Sequence, residues 1–162
     1  MASAFHDSAR ASKVGLSAGR LHEQAHLELH RTAGLLDDAL ERIFKAHGIS
    51  STQYNVLRIL RGAGSGGLCR NEVRDRLLNR MPDVTRLLDR MEEAGLLTRE
   101  RSTVDRRQVA TQLTPKGRAL VDKLDEPVAA EQARLLGQLP AKDLRALVAL
   151  LAEVREACTA HE

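Results

Sequence analysis

Apolar residues recur along the first part of this chain at the helical period of ~3.6 residues. Leu21, Ala25, Leu29, Leu36, Leu40 and Phe44 trace one stripe and predict a long helix from Ala18 to His47. Gly34 inside it costs ~1 kcal/mol relative to Ala, and Gly48 provides a stop. A shorter helix follows, with Ser51 read as its cap, Tyr54, Val56, Leu57 and Leu60 inward, and Gly62 as its end. GAGSGG (62–67) is a loop, and Leu68-Cys69 is a very short strand able to pair with a ribbon edge. A third helix is expected over Arg70–Leu78, with Val73 and Leu77 inward. Pro82 disfavours helical geometry at the residue before it, so Asn79-Arg80-Met81 reads as a turn. Pro82 then sits in the first turn of a fourth helix, with Asp83 complementing its dipole. That helix runs to Ala94 and Gly95 stops it. Val84, Leu87, Leu88 and Met91 face inward; Thr85, Arg86, Asp89 and Arg90 face out.

The period then changes to two. Leu97, Arg99 and Arg101 share one parity, and Val109, Thr111 and Leu113 alternate with Gln108, Ala110 and Gln112. This predicts a hairpin with the tip STVDRR (102–107). Thr114 caps the next helix and Pro115 occupies its first position. Pro127 is expected to kink or break that helix near Asp125. The last helix, Ala141–Ala157, carries Leu144, Leu147, Leu151, Val154 and Cys158. Their gaps alternate between three and four residues, a heptad seam suited to an interface between subunits. Residues 1–17 are small and polar and read as a flexible arm.

Composition narrows the core. Of 162 residues 43% are hydrophobic, but the only aromatics are Phe5, Phe44 and Tyr54, so Leu, Val and Ala must fill the interior. Such a core suits packed helices. The net charge of +3 is a weak hint of an anionic partner. Placement says more: 10 of the 20 arginines fall between Arg70 and Arg107, a segment with no lysine. Arg suits planar, bidentate contacts to phosphate and guanine. Eight acids in the same segment reduce its net charge to +2, so a positive surface there requires the signs to segregate. Two cysteines, Cys69 and Cys158, make no disulfide framework, which fits a reduced, cytoplasmic setting. No signal peptide is seen, and no apolar run approaches the ~20 residues that span a bilayer.

Two short helices joined by a tight turn, the second exposing Thr and Arg, form a helix-turn-helix. Its second helix fits the major groove. The ribbon that follows makes it a winged helix. Its tip, Asp105-Arg106-Arg107, would lie over the minor groove, whose negative potential attracts arginine. Asp105 cannot favour a phosphate; its role would be to pair with an arginine and shape the tip.

With these elements in order, the chain resembles the MarR family of bacterial transcriptional regulators. VTRLLDRMEEAGLLTRE (84–100), DRR (105–107) and LTPKG (113–117) carry the resemblance, which extends from about Leu21 to Cys158. The implied fold is mainly α with a small β-ribbon: a winged helix-turn-helix with a helical dimerisation domain. The implied division is a winged lobe over 49–114 and a dimerisation region over 18–48 and 115–162. The partners implied are a pseudo-palindromic double-stranded DNA operator, a second copy of the chain and a small-molecule effector, with no membrane. By resemblance, Asn71 and Arg74 contact phosphates, Arg80, Asp83, Thr85, Arg86 and Arg90 lie on or beside the recognition helix, and Arg101, Arg106 and Arg107 belong to the wing.

Other chemistry is poorly supported. His22, His26 and His30 share a helix face at chelating spacing, but no partnering Cys or carboxylate is evident, and we assign no metal. Cys69 lies near a helix N-terminus beside Arg70, a setting that activates thiols. The family's peroxide sensors, however, place their cysteine in the first helix, where this chain has none. His47, Tyr54 and Arg58 are polar residues suited to line an effector pocket. Walker, Gly-x-Gly-x-x-Gly, His-Glu-x-x-His and Cys-x-x-Cys motifs are absent, so we expect no catalysis and no cofactor. The alternative to DNA binding is a winged-helix module that binds protein.

Overall fold

The computed structural model describes residues 18–78, 82–101 and 109–160. The described residues fall into two units, divided between Asp38 and Ala39. Helix α1 (Ala18–Ala46) begins in the first unit, where Leu21, Leu27, Leu29 and Leu35 are exposed. All the remaining elements belong to the second unit. They are α2 (Ser51–Ala63), a 3-10 turn (Gly64–Gly66), α3 (Arg70–Arg76), α4 (Val84–Glu93), β1 (Leu97–Arg101), β2 (Val109–Leu113), α5 (Pro115–Leu136) and α6 (Ala141–Thr159). Among the described residues no helix is long and apolar enough to cross a membrane.

Local chemistry sets the helix ends, not always at the expected residue. Gly48 takes φ 73°; its N–H bonds Lys45 O, and that of Ile49 bonds Phe44 O. This Schellman closure lets Phe44 and Ile49 be buried together. Ser50, not Ser51, caps α2: its hydroxyl accepts from Gln53 N–H while Gln53 Oε1 accepts from Ser50 N–H. This reciprocal pair outcompetes a cap one residue later, and the Ser51 N–H instead bonds Glu41. Helix α2 continues past Gly62 to Ala63, because Gly64 is the residue with left-handed φ (69°). Helix α3 ends at Arg76, shorter than expected, since Leu77 is already extended. Asp83 is the N-cap of α4 and accepts the Arg86 N–H (3.0 Å), so Pro82 precedes the helix instead of opening it. Pro127 neither breaks nor ends α5. The ring removes only the bond to the Lys123 carbonyl, and buried Leu124 and Val128 hold the helix to the core on both sides of it.

The core is aliphatic, as composition requires. Val56, Leu57, Leu60, Val73, Leu88, Met91, Leu97, Val121 and Leu124 are almost wholly buried. The aromatic contribution is Tyr54 stacked on Phe44, centroids 4.5 Å apart. Strands β1 and β2 pair antiparallel, Leu97 opposite Leu113 and Arg101 opposite Val109. Leu68 exchanges two backbone bonds with Thr111, so the short strand at Leu68 does join the ribbon edge.

The LTPKG stretch is the clasp of this unit. Gly95 (φ 70°) ends α4 with a second Schellman closure, Gly95 N–H to Glu92 O and Leu96 N–H to Met91 O. The Thr114 hydroxyl accepts from Gly117 N–H, capping α5, and donates to Gly95 O (2.7 Å). Lys116 Nζ donates to Ala94 O (2.7 Å), and Thr114 N–H bonds Leu96 O. Thus three successive carbonyls after α4 are bonded from the start of α5. Gly117 makes this possible, since a Cβ there would sit 1.9 Å from Leu96 O.

Helix α6 has no buried residue. Leu144, Leu147 and Leu151 of its seam are half-buried, and Val154 and Cys158 are exposed, as are Val148 and Leu150.

Two glycines give opposite expectations. Gly117→Ala should destabilise by about 3 kcal/mol or more, because backbone must move to admit the methyl group. Gly62→Ala, where nothing lies within 4 Å, should stabilise by up to ~1 kcal/mol. Denaturant unfolding of both proteins checks the pair.

Candidate nucleic-acid interface

Helix α4 is built to show one face. Val84, Leu87, Leu88 and Met91 are buried, whereas Thr85, Arg86 and Arg90 are exposed. The Arg86 side chain is 83% exposed and pairs with Asp83, Nε to Oδ2 at 3.1 Å. Asp83 therefore caps the helix with one oxygen and steers the first outward arginine with the other. Arg90 Nε lies 3.3 Å from Arg86 O, which sets it along the same face. From α3, Arg70 Nη1 donates to Thr85 Oγ1 (3.3 Å). Asn71 is exposed, and Arg74 pairs with its neighbour Asp75 at 3.0 Å.

The wing is fastened to this helix by an arginine. Arg99 on β1 bonds Glu92 through Nη2, through Nε (2.8 Å) and through its backbone N–H (3.0 Å), and its Nη2 reaches Asp89 at 2.7 Å. The Arg99 guanidinium holds the Glu92 carboxyl below the usual glutamate range. Asp89, expected among the outward residues, is turned to this clamp. An open cleft of about 750 Å³ lies between α3, α4 and the ribbon, lined by residues that include Cys69, Arg70, Asn71, Thr85, Glu92 and Arg99.

The structure thus gathers Asn71, Arg74, Asp83, Thr85, Arg86 and Arg90 on α3, α4 and the turn between them. Arg101 ends β1. Arg80, Asp105, Arg106 and Arg107 lie outside the described residues. Cys69 is half-buried at the N-cap of α3, and its backbone N–H donates to Glu72 (2.7 Å). His47 Nδ1 lies 3.0 Å from Ile43 O of the preceding helix, while buried Tyr54 has Arg58 over its ring at 6.0 Å. These three side chains turn to nearby protein groups. His26 and His30 make an edge contact at 4.6 Å. Among the described residues, no three His, Cys, Asp or Glu side chains converge as a metal site.

Residues 47–108 match the sequence profile of the MarR family. The HTH-type transcriptional regulator PecS of Dickeya dadantii (strain 3937) is 30% identical over 129 residues, 79% of this chain and 78% of PecS. The crystal structure of a MarR transcription factor from Planctomyces limnophilus is 38% identical, with a TM-score of 0.63 over 80% of this chain and 94% of that one. The chain belongs to the MarR family. This MarR-family regulator is also similar to the transcriptional repressor CouR bound to a 23-mer DNA duplex. That match is 28% identical, with a TM-score of 0.74, covering 88% of this chain and 99% of CouR. The family and the winged-helix fold expected from sequence both stand.

Sequence reading missed Arg99, Asp89 and Glu92 as one group, and Arg70 as the partner of Thr85. The parity of β1 put Arg99 beside Leu97, on the buried side, and an arginine there signals an acidic partner. Nothing local says which.

The clamp has a pH signature. Glu92 is depressed in the folded protein, so its contribution is complete above the ordinary glutamate pKa of ~4.3 and fades as pH falls through and below it. Glu92→Gln should therefore lose melting temperature relative to the parent at pH 7, and the gap should narrow at pH 3.5. Melting curves at both pH values measure it.

Proposed function

We propose that this regulator works as a homodimer that binds a pseudo-palindromic DNA operator in the cytoplasm and represses transcription until an effector releases it. The exposed Thr85-Arg86-Arg90 face of α4, fixed to the wing by Arg99, carries the reading. A helix with an aliphatic back and an arginine front, held at a set angle to a ribbon, suits major-groove insertion. The similarity to CouR on its duplex supports it. In this scheme Arg86 exchanges Asp83 for a guanine edge. Asn71 and Arg74 take phosphates, and Arg80, Asp83, Thr85 and Arg90 lie on or beside the recognition helix. Arg101, Arg106 and Arg107 serve the wing, whose tip Asp105 shapes. Residues 49–114 form the DNA-binding lobe, and 18–48 with 115–162 form the dimerisation region. Leu144, Leu147, Leu151, Val154 and Cys158 are the seam for a second copy, a role that suits a helix with no buried residue of its own. The effector acts by changing the spacing or freedom of the two lobes. No step requires catalysis or a cofactor.

Binding to an operator selected from genomic fragments tests this. The affinity should fall steeply with salt, with a slope of ~−0.9 per phosphate neutralised; a protein-binding module would select no fragment. Arg86→Ala should relax base choice at one position, costing ~1–3 kcal/mol there. Arg107→Ala should weaken all sequences alike. If both variants bind like the parent, the residue assignment fails.

A further inference from the structure

Arg61 lies near the end of α2, far in sequence from the acids it meets on α5. Its Nη1 donates to Asp122 Oδ1 (2.8 Å) and Asp125 Oδ2 (2.6 Å), and its Nη2 donates to Asp125 Oδ1 (2.9 Å). Asp125 is thus held bidentate, the geometry that fixes direction as well as distance. Arg58, one turn earlier on α2, contributes a second positive charge near Asp125. The buried residues that α2 and α5 contribute to the core near this pin are mainly aliphatic: Leu57, Leu60, Val121 and Leu124. Aliphatic seams resist separation but resist sliding and rotation weakly, because burial is non-directional. The charged pin supplies the direction the seam lacks. Its side chains are one-quarter to one-half exposed (Arg61 25%, Asp122 54%, Asp125 50%). A pin so placed is a modest contributor to stability.

Resting on the operator-bound dimer described above, we propose that Arg61 is a positioning residue for DNA binding. Through Asp122 and Asp125 it sets the orientation of the winged lobe on α5, and hence the separation of the two recognition helices in the dimer. Arg61 has no place among the proposed DNA contacts. Its effect is on whether two lobes meet two half-sites together, a coupling governed by geometry. α5 leads through residues 137–140 into α6 and the proposed dimer seam, so a rotation at the pin shifts the lobe relative to its partner.

The experiment uses the full-length protein and an operator fragment selected with the parent. Three duplex types are compared: the native site, the same site with one to three base pairs inserted between half-sites, and a single half-site. Failure of the parent to select any fragment would overturn the DNA-binding reading itself, independently of Arg61. Arg61→Met should bind the native site three- to ten-fold more weakly, bind the half-site within two-fold of the parent, and discriminate less between spacings. The charge swap R61D with D125R should restore spacing discrimination. Asp125→Asn, which leaves Arg61 and Asp122 in place, provides the same readout should Arg61→Met fail to fold. The assignment is overturned by unchanged affinity and spacing preference, by an equal loss on half-site and full site, or by a swap that leaves the spacing profile flat.

Discussion

Everything on the exposed face of α4 depends on how that helix is closed at its far end. The helix stops at a left-handed glycine, and the three carbonyls that follow are bonded by Thr114 and Lys116, at the start of α5. Gly117 completes the contact by offering no side chain where α5 passes Leu96. One pentapeptide therefore ends the ribbon, caps a long helix and ties that helix to the tail of α4. Each of those jobs alone tolerates several residues. Together they leave little choice, since a side chain at 117 or a missing hydroxyl at 114 disturbs all of them.

Charge is arranged by the same economy. The segment from Arg70 to Arg107 looks nearly neutral by count, yet most of its acids whose partners are described have local structural work. Glu72 accepts the N–H of the α3 cap, Asp83 caps α4, and Asp89 and Glu92 hold Arg99. Among the described residues, Arg86 and Arg90 remain on the outer face with hydrogen-bonding capacity to spare. The carboxylates are committed to backbone N–H groups and to neighbouring arginines: Asp83 to Arg86, Asp75 to Arg74, and Asp89 and Glu92 to Arg99. A net charge summed along the chain hides this, because it does not show which carboxylates are already engaged by caps and clamps.

Much of the fold was legible because its signals are local. Gly48 and Gly95 as stops, Thr114 as a cap and the alternation of β1 and β2 depend on residues within one turn of each other. The errors were also local, and each has a competitor that won. A capping box at Ser50 displaced Ser51, a left-handed Gly64 outlasted Gly62, and core packing on either side of Pro127 kept α5 whole. The outward face of α4 could be read from its period. Its fastenings could not. The partners of Arg99 and Arg61 are chosen by docking of elements seven and more than sixty residues apart, and no period or spacing encodes that. Arg80 and the Asp105-Arg106-Arg107 tip lie outside the described residues.

The bare face of α6 has a thermodynamic consequence. A helix with Val148, Leu150 and Val154 exposed and no fully buried residue gains little from the core of its own chain. If a second copy supplies the missing burial, folding of this segment and association become a single equilibrium, governed by mass action. Operator occupancy would then fall more steeply on dilution than a preformed dimer allows, because losing the partner also unfolds the helix that carries the seam.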